Sequence, residues 1–157
     1  MSLGLETVLW VLLVISTVTD LLSGKIYNLI TFPALALGIL VQVWVGGITI
    51  LPSVLLAIGI AFALFFPLYF FKVLAAGDVK LLMAVAAWSD SSQILKLALV
   101  SIFIGGTVGL IILVTKKGVK ESVSGMFTSQ TRIAFAPAFL CAMMVIKIME
   151  INGWQIF

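Results

Sequence analysis

Few side chains in this chain of 157 residues can do chemistry. There are six Asp or Glu, nine Lys or Arg, one cysteine (Cys141) and no histidine. This inventory excludes an internal disulfide, a Cys-rich zinc module and any His-based catalysis. Carboxylate chemistry remains, with hydroxyls and lysines in support. Glu6, Asp90, Glu121 and Glu150 lie near the termini or in polar connections and read as solvated interfacial charges. Asp20 and Asp78 differ, because each lies at the edge of an apolar run, where a carboxylate is costly and is kept for pairing, relay or catalysis. Two carboxylates meeting in a half-wet cavity hold one proton between them, since like charges close together resist full ionisation. The ionised one can activate water while the protonated one polarises a scissile carbonyl. The bland alternatives are a headgroup-wetted helix end for Asp20 and an N-cap for Asp78, the latter compatible with catalysis. The sequence alone does not bring the two acids together.

The elements that must position these acids follow from composition. The chain is 63% hydrophobic and 10% charged, with a mean hydropathy of +1.33. Soluble domains run at about 45–50% apolar and about 25% charged, so a water-soluble globule and a disordered chain are both excluded. An all-α, polytopic membrane helix bundle is expected. Apolar runs predict six spans, at about 3–19, 29–45, 50–71, a short run ending at Trp88, 95–115 and 133–149. The N-terminus carries Glu6 rather than a basic segment and no small-x-small cleavage site follows the first run, which therefore reads as a retained span, not a cleaved leader. The expectation is a single integral-membrane domain over 1–157. The scattered cations carry no nucleic-acid footprint.

Charge distribution sets the expected orientation. The connections after spans one, three and five hold Lys25, Lys72, Lys80, Lys116, Lys117, Lys120 and Arg132. The other side has only Lys96 and Lys147, with Glu6, Asp90 and Glu150. Basic loops stay in the cytoplasm, so both termini are expected outside and both candidate acids toward the cytoplasm. Span four is anomalous. The eight uncharged residues from Leu81 to Trp88 would rise about 12 Å against a hydrocarbon core of about 30 Å. The residues before it must come down to membrane level, and irregular backbone there is tolerated only when it is buried in protein or lines a cavity. The expectation is a non-helical Ala76-Gly77-Asp78 turn in a cytoplasm-facing cavity, with Asp78 at or near the start of span four.

Three segments carry a family resemblance. Asp20-Leu-Leu-Ser-Gly-Lys25-Ile26-Tyr27-Asn28 resembles the first active-site segment of type IV prepilin peptidases. Ala75-Ala76-Gly77-Asp78-Val79-Lys80 resembles their Gly-x-Gly-Asp-x-Lys segment, and Ile133-Ala-Phe135-Ala-Pro137-Ala-Phe139 is similar to the Pro- and Phe-rich run that opens their last helix. Order, spacing and helix number agree over nearly the whole chain. Two departures are Ala75 in place of a glycine and Tyr27 in place of a proline. The resemblance implies an aspartic endopeptidase of the inner (cytoplasmic) membrane that removes the short basic leader of a prepilin or pseudopilin. It implies Asp20 and Asp78 as the catalytic pair, with Lys25, Asn28, Ala75, Gly77, Lys80 and Pro137 as the supporting motif, and neither metal nor organic cofactor. The family's larger members add a Cys-x-x-Cys region and methylate the product; this chain resembles the compact, peptidase-only kind of tight-adherence (Flp) pili.

Other features take structural readings. The G-x-x-x-G from Gly105 to Gly109 favours close helix packing, inside the bundle or at a dimer contact. Trp10, Trp44, Trp88 and Trp154 read as interfacial anchors. Lys25, Lys72 and Lys80 read as snorkelling charges, with Lys80 alternatively holding the acid pair ionised. The connection 116–132 either lies on the membrane surface or contacts a substrate leader. The sequence is also compatible with two rival functions: a small proton-coupled transporter, which usually has a broken helix in each half, and a non-catalytic assembly component of a pilus or secretion machine. Orientation is directly testable. In a Cys141→Ser background, an impermeant thiol reagent applied to intact cells should label Ser91→Cys but neither Ser23→Cys nor Ser122→Cys. Labelling at 23 or 122 reverses the topology.

Overall fold

The computed structural model describes residues 3–117 and 135–154. These form α1 (Leu3–Ser23), α2 (Asn28–Gly46), a short 3-10 turn (Ile48–Ile50), α3 (Leu51–Phe70), α4 (Ala76–Ala86), α5 (Ser91–Lys117) and α6 (Ala136–Ile151). No strand occurs among the described residues. The fold is the expected all-helical bundle. Most of the connection 116–132, including Glu121, lies outside the described residues.

The helix ends follow local chemistry. Gly24, at φ 60°, ends α1 in the left-handed conformation that glycine adopts without strain, and its N–H donates to the Asp20 carbonyl at 2.8 Å. Helix α1 therefore extends past the expected end of its span, and Asp20 lies in its last turn. Pro52 and Pro137 occupy the first turns of α3 and α6, where a missing N–H leaves no bond unmade. Helix α5 is capped by Asp90, whose Oδ1 accepts the Gln93 N–H at 3.1 Å.

Among the described residues, four stretches are long and apolar enough to cross a membrane: Glu6–Ser23, Asn28–Gly46, Ile48–Phe70 and Ser91–Ile111. Helix α4 is different. It has 11 residues, a rise of about 16 Å, and it packs against α1, α2, α3 and α5. Asp78, Val79, Leu81, Leu82, Ala84, Val85 and Ala86 are all buried within it. The short helix is thus a central piece of the bundle, wrapped by longer helices whose exposed faces are Val, Leu, Ile and Phe. The helices neighbour one another in the order α2, α4, α3, α5, α6, α1.

Two close approaches hold this arrangement. On α2, a Cβ at Gly38 would lie 2.8 Å from both the Ala87 Cβ and the Trp88 Nε1. Trp88 is only 6% exposed, and its indole N–H donates to the Ala34 carbonyl at 2.8 Å. This corrects the expectation of an interfacial anchor: the ring is large enough to fill the α2–α4 seam and finds its hydrogen bond there. Trp44, at 91% exposure, remains on the apolar outer surface. On α5, a Cβ at Gly105 would run into the Phe135 ring, so the G-x-x-x-G packs inside the bundle. Phe135, Phe139 and Phe65 form a cluster with centroids 5.5–6.1 Å apart.

Glycine substitutions should separate the seam from the surface. Gly38→Val should sharply reduce folded protein in a thermal-unfolding assay, since backbone and indole neighbours cannot yield. Gly59, on α3, has nothing within 4 Å of a built Cβ, so Gly59→Ala should be neutral or stabilise by up to about 1 kcal/mol through helix propensity.

Candidate active site

Asp78 lies in the first turn of α4, which starts after Ala75. Its Oδ2 accepts the Ala75 N–H at 3.0 Å, and its own N–H donates to the Ala75 carbonyl at 3.1 Å. The side chain therefore reaches back to close its own helix start, the acidic half of a capping box. This corrects the expected non-helical turn. Ala76, Gly77 and Asp78 are helical, because the carboxylate supplies the hydrogen bond that lets the helix begin there. Ala75 has φ −82° and ψ 154°, ordinary values for any L residue, so a glycine is not required at that position. Asp78 is 3% exposed.

Asp20 is 7% exposed and belongs to the buried stripe of α1 formed with Leu9, Leu12, Leu13, Ser16 and Thr17. Its Oδ2 accepts the Ala136 N–H from the first turn of α6 at 3.1 Å. The first N–H groups of a helix have no partner within it and carry the positive end of the helix dipole. Asp20 is held by those groups of α6, 116 residues away in sequence. Pro137 stands just inside the same helix start, and this is the sequence signal that free amides precede it.

The connection from α1 to α2 lies along the start of α4. A Cβ at Gly77 would approach the Ile26 Cβ to 3.1 Å, so the absence of a side chain there lets Ile26 seat against the first turn of α4. Two residues on, the Lys80 Nζ donates to the Asn28 Oδ1 at 3.0 Å and lies 5.1 Å from the centroid of the Phe32 ring. Lys80 thus joins α4 to the start of α2, a role that the sequence reading of a snorkelling charge missed. Tyr27, before Asn28, has φ −76°, within the range that proline imposes, so the departure at this position keeps the same backbone. With Ile26 and Asn28 so placed, the last turn of α1, with Asp20, and the first turn of α4, with Asp78, lie at the same end of the bundle, and both acids are buried. Lys25 and Lys72 are exposed in the connections at this end of the bundle.

The opposite end has a different character. The Lys147 Nζ lies 2.8 Å from the Glu6 Oε2 and 3.3 Å from the Glu150 Oε2, tying α6 to α1. Glu6 and Glu150, expected as solvated charges, are ion-paired. Among the described residues, no three His, Cys, Asp or Glu side chains are grouped to hold a metal ion.

The Lys80–Asn28 link can be measured. Lys80→Met, Asn28→Ala and the double variant should show a coupling of roughly 0.5–1 kcal/mol in unfolding, as expected for a charged hydrogen bond discounted for solvent exposure. Additive single effects would mean that the two side chains do not meet. The profile of the type IV leader peptidase family matches residues 7–110, a stretch that contains both Asp20 and Asp78. No curated protein and no solved structure matches the chain.

Proposed function

The chain belongs to the type IV leader peptidase family, and on that premise we propose that it is a membrane-embedded aspartic endopeptidase with Asp20 and Asp78 as its catalytic pair. The observation that carries this reading is that two carboxylates 58 positions apart in sequence are both buried, and each is held by a backbone amide at a helix start. The family makes the protein a peptidase of prepilin-like substrates. The proposed substrate is a prepilin or pseudopilin whose short basic leader is cut where it meets its apolar helix. The expected orientation places the cut on the cytoplasmic face of the inner membrane.

In this mechanism the pair carries one proton. The ionised carboxylate accepts a proton from water as the water oxygen adds to the scissile carbonyl carbon. The protonated partner donates to the carbonyl oxygen, and the tetrahedral intermediate forms. Collapse breaks the C–N bond, and a proton passes to the departing amine. The backbone amides at Ala75 and at Ala136 keep each carboxyl group in place, so its reactive oxygen is oriented before substrate arrives. Ile26 on Gly77 and Asn28 on Lys80 fix the spacing between the two acid-bearing segments.

Asp20→Asn and Asp78→Asn preserve shape but cannot ionise. Each should insert normally and lose at least about 10²-fold in cleavage of a co-expressed prepilin, the scale of a lost acid–base step. Asp90→Asn should cut at the wild-type rate, because asparagine caps α5 as well as aspartate does. Wild-type cleavage by either Asn variant, at normal abundance, would defeat the two-aspartate mechanism.

A further inference from the structure

One turn from Asp20 on α1, and one turn from Asn28 on α2, lie polar groups that the mechanism above does not use. The hydroxyls of Ser16, Thr17 and Thr31 are buried and have no hydrogen-bond partner; the residues are 0%, 7% and 2% exposed. Ser16 and Thr17 precede Asp20 by four and three positions on the same buried stripe of α1, so they are its neighbours on the helix surface, one turn deeper. Thr31 stands one turn along α2 from Asn28. That helix faces α4 through Asn28 on Lys80 at one level and Gly38 on Ala87 at a deeper one. Thr31, the other fully buried residue of α2, therefore lies between those levels, beside the stretch of α4 that follows Asp78.

A buried hydroxyl without a partner is unfavourable, and native structures rarely keep one without a reason. Here three occur, two on α1 within one turn of Asp20 and one on α2 within one turn of Asn28, the partner of Lys80. Hydroxyls can donate and accept, and a buried water typically takes about three hydrogen bonds from otherwise unsatisfied groups. We propose that Ser16, Thr17 and Thr31 form a hydration shelf that holds water beneath Asp20 and Asp78 and supplies it to the peptide bond. A hydrolase inside a bilayer needs such a store, because a helical substrate covering the wet end of the site would otherwise cut its carboxylates off from solvent. The shelf deepens the reading of Asp20 and Asp78 as an acid–base pair and rests on it for its catalytic part; its water-binding part stands on the three hydroxyls alone.

Purified protein, a prepilin substrate and isosteric variants test it. Thr17→Val and Thr31→Val keep volume and remove the hydroxyl; Thr17→Ser and Thr31→Ser keep the hydroxyl. Each valine variant should lower kcat about tenfold, the scale of one lost hydrogen bond, at unchanged KM and with a thermal midpoint equal to wild type or higher. The serine variants should retain the wild-type kcat. A pulse of hydroxyl radicals read by mass spectrometry gives an activity-independent signal: water on the shelf should oxidise Leu13, which is fully buried, and Ser16→Ala with Thr17→Val should protect it. Wild-type kcat in both valine variants, or Leu13 oxidation no higher in the wild-type protein than in the double variant, overturns the proposal. An Asp20→Asn protein that still cleaves, with Leu13 oxidised as expected, would instead defeat the catalytic pair and leave the water site standing.

Discussion

Everything at the polar end of this bundle depends on keeping two carboxylates out of bulk water. A buried carboxylate is tolerated when hydrogen bonds replace its hydration, and both acids here obtain them from the same kind of source, the backbone N–H groups of a helix start. Asp78 uses its own helix and bonds Ala75; Asp20 uses another and bonds Ala136. Backbone amides are fixed by the helix, carry no charge that could migrate, and orient the acceptor. A lysine in the same place would neutralise the acid by pairing with it. Lys80, the cation nearest in sequence to Asp78, is instead engaged by Asn28 and the Phe32 ring.

Holding Asp20 in this way requires α6 to begin at one defined place. Helix α6 is anchored there by the ring of Phe135, which fits over Gly105 on α5 and contacts Phe65 and Phe139. An apolar cluster between α3, α5 and α6 thus determines where an amide meets a carboxylate on α1. At the far end the Lys147 pair with Glu6 ties the same two helices, α1 and α6, together. The two helices are fixed at both ends, so the level of Asp20 relative to the Ala136 amide is set by ties that do not touch the acid.

Helix α4 shows how a polar helix start is placed inside an apolar bundle. It is too short to cross a bilayer and does not need to, because longer helices surround it. Gly38 lets α2 come close enough for Trp88 to fill the seam, and the indole N–H is satisfied by a carbonyl of α2. The apolar half of α4 is then locked by packing, and its polar first turn is held at a constant depth.

The apolar composition and the run lengths by themselves determined the helical bundle and the ends of most helices, since in a bilayer each segment must satisfy its own backbone and cover itself with apolar side chains. They also singled out Asp20 and Asp78, because charge within apolar runs is rare and costly. The shortness of the run before Trp88 marked α4 as unusual, and Pro137 marked a helix start. Other features needed the tertiary structure. Trp88 reads as a surface anchor until Gly38 and Ala34 are seen facing it, and Lys80 reads as a lipid-facing charge until Asn28, 52 positions away, is found at its Nζ. The non-helical turn expected at Asp78 became a helix start through one hydrogen bond to Ala75. Partners this distant leave no mark in local composition or periodicity. Only packing decides which backbone amide meets which carboxylate, and that pairing distinguishes a solvated helix end from a buried pair of acids.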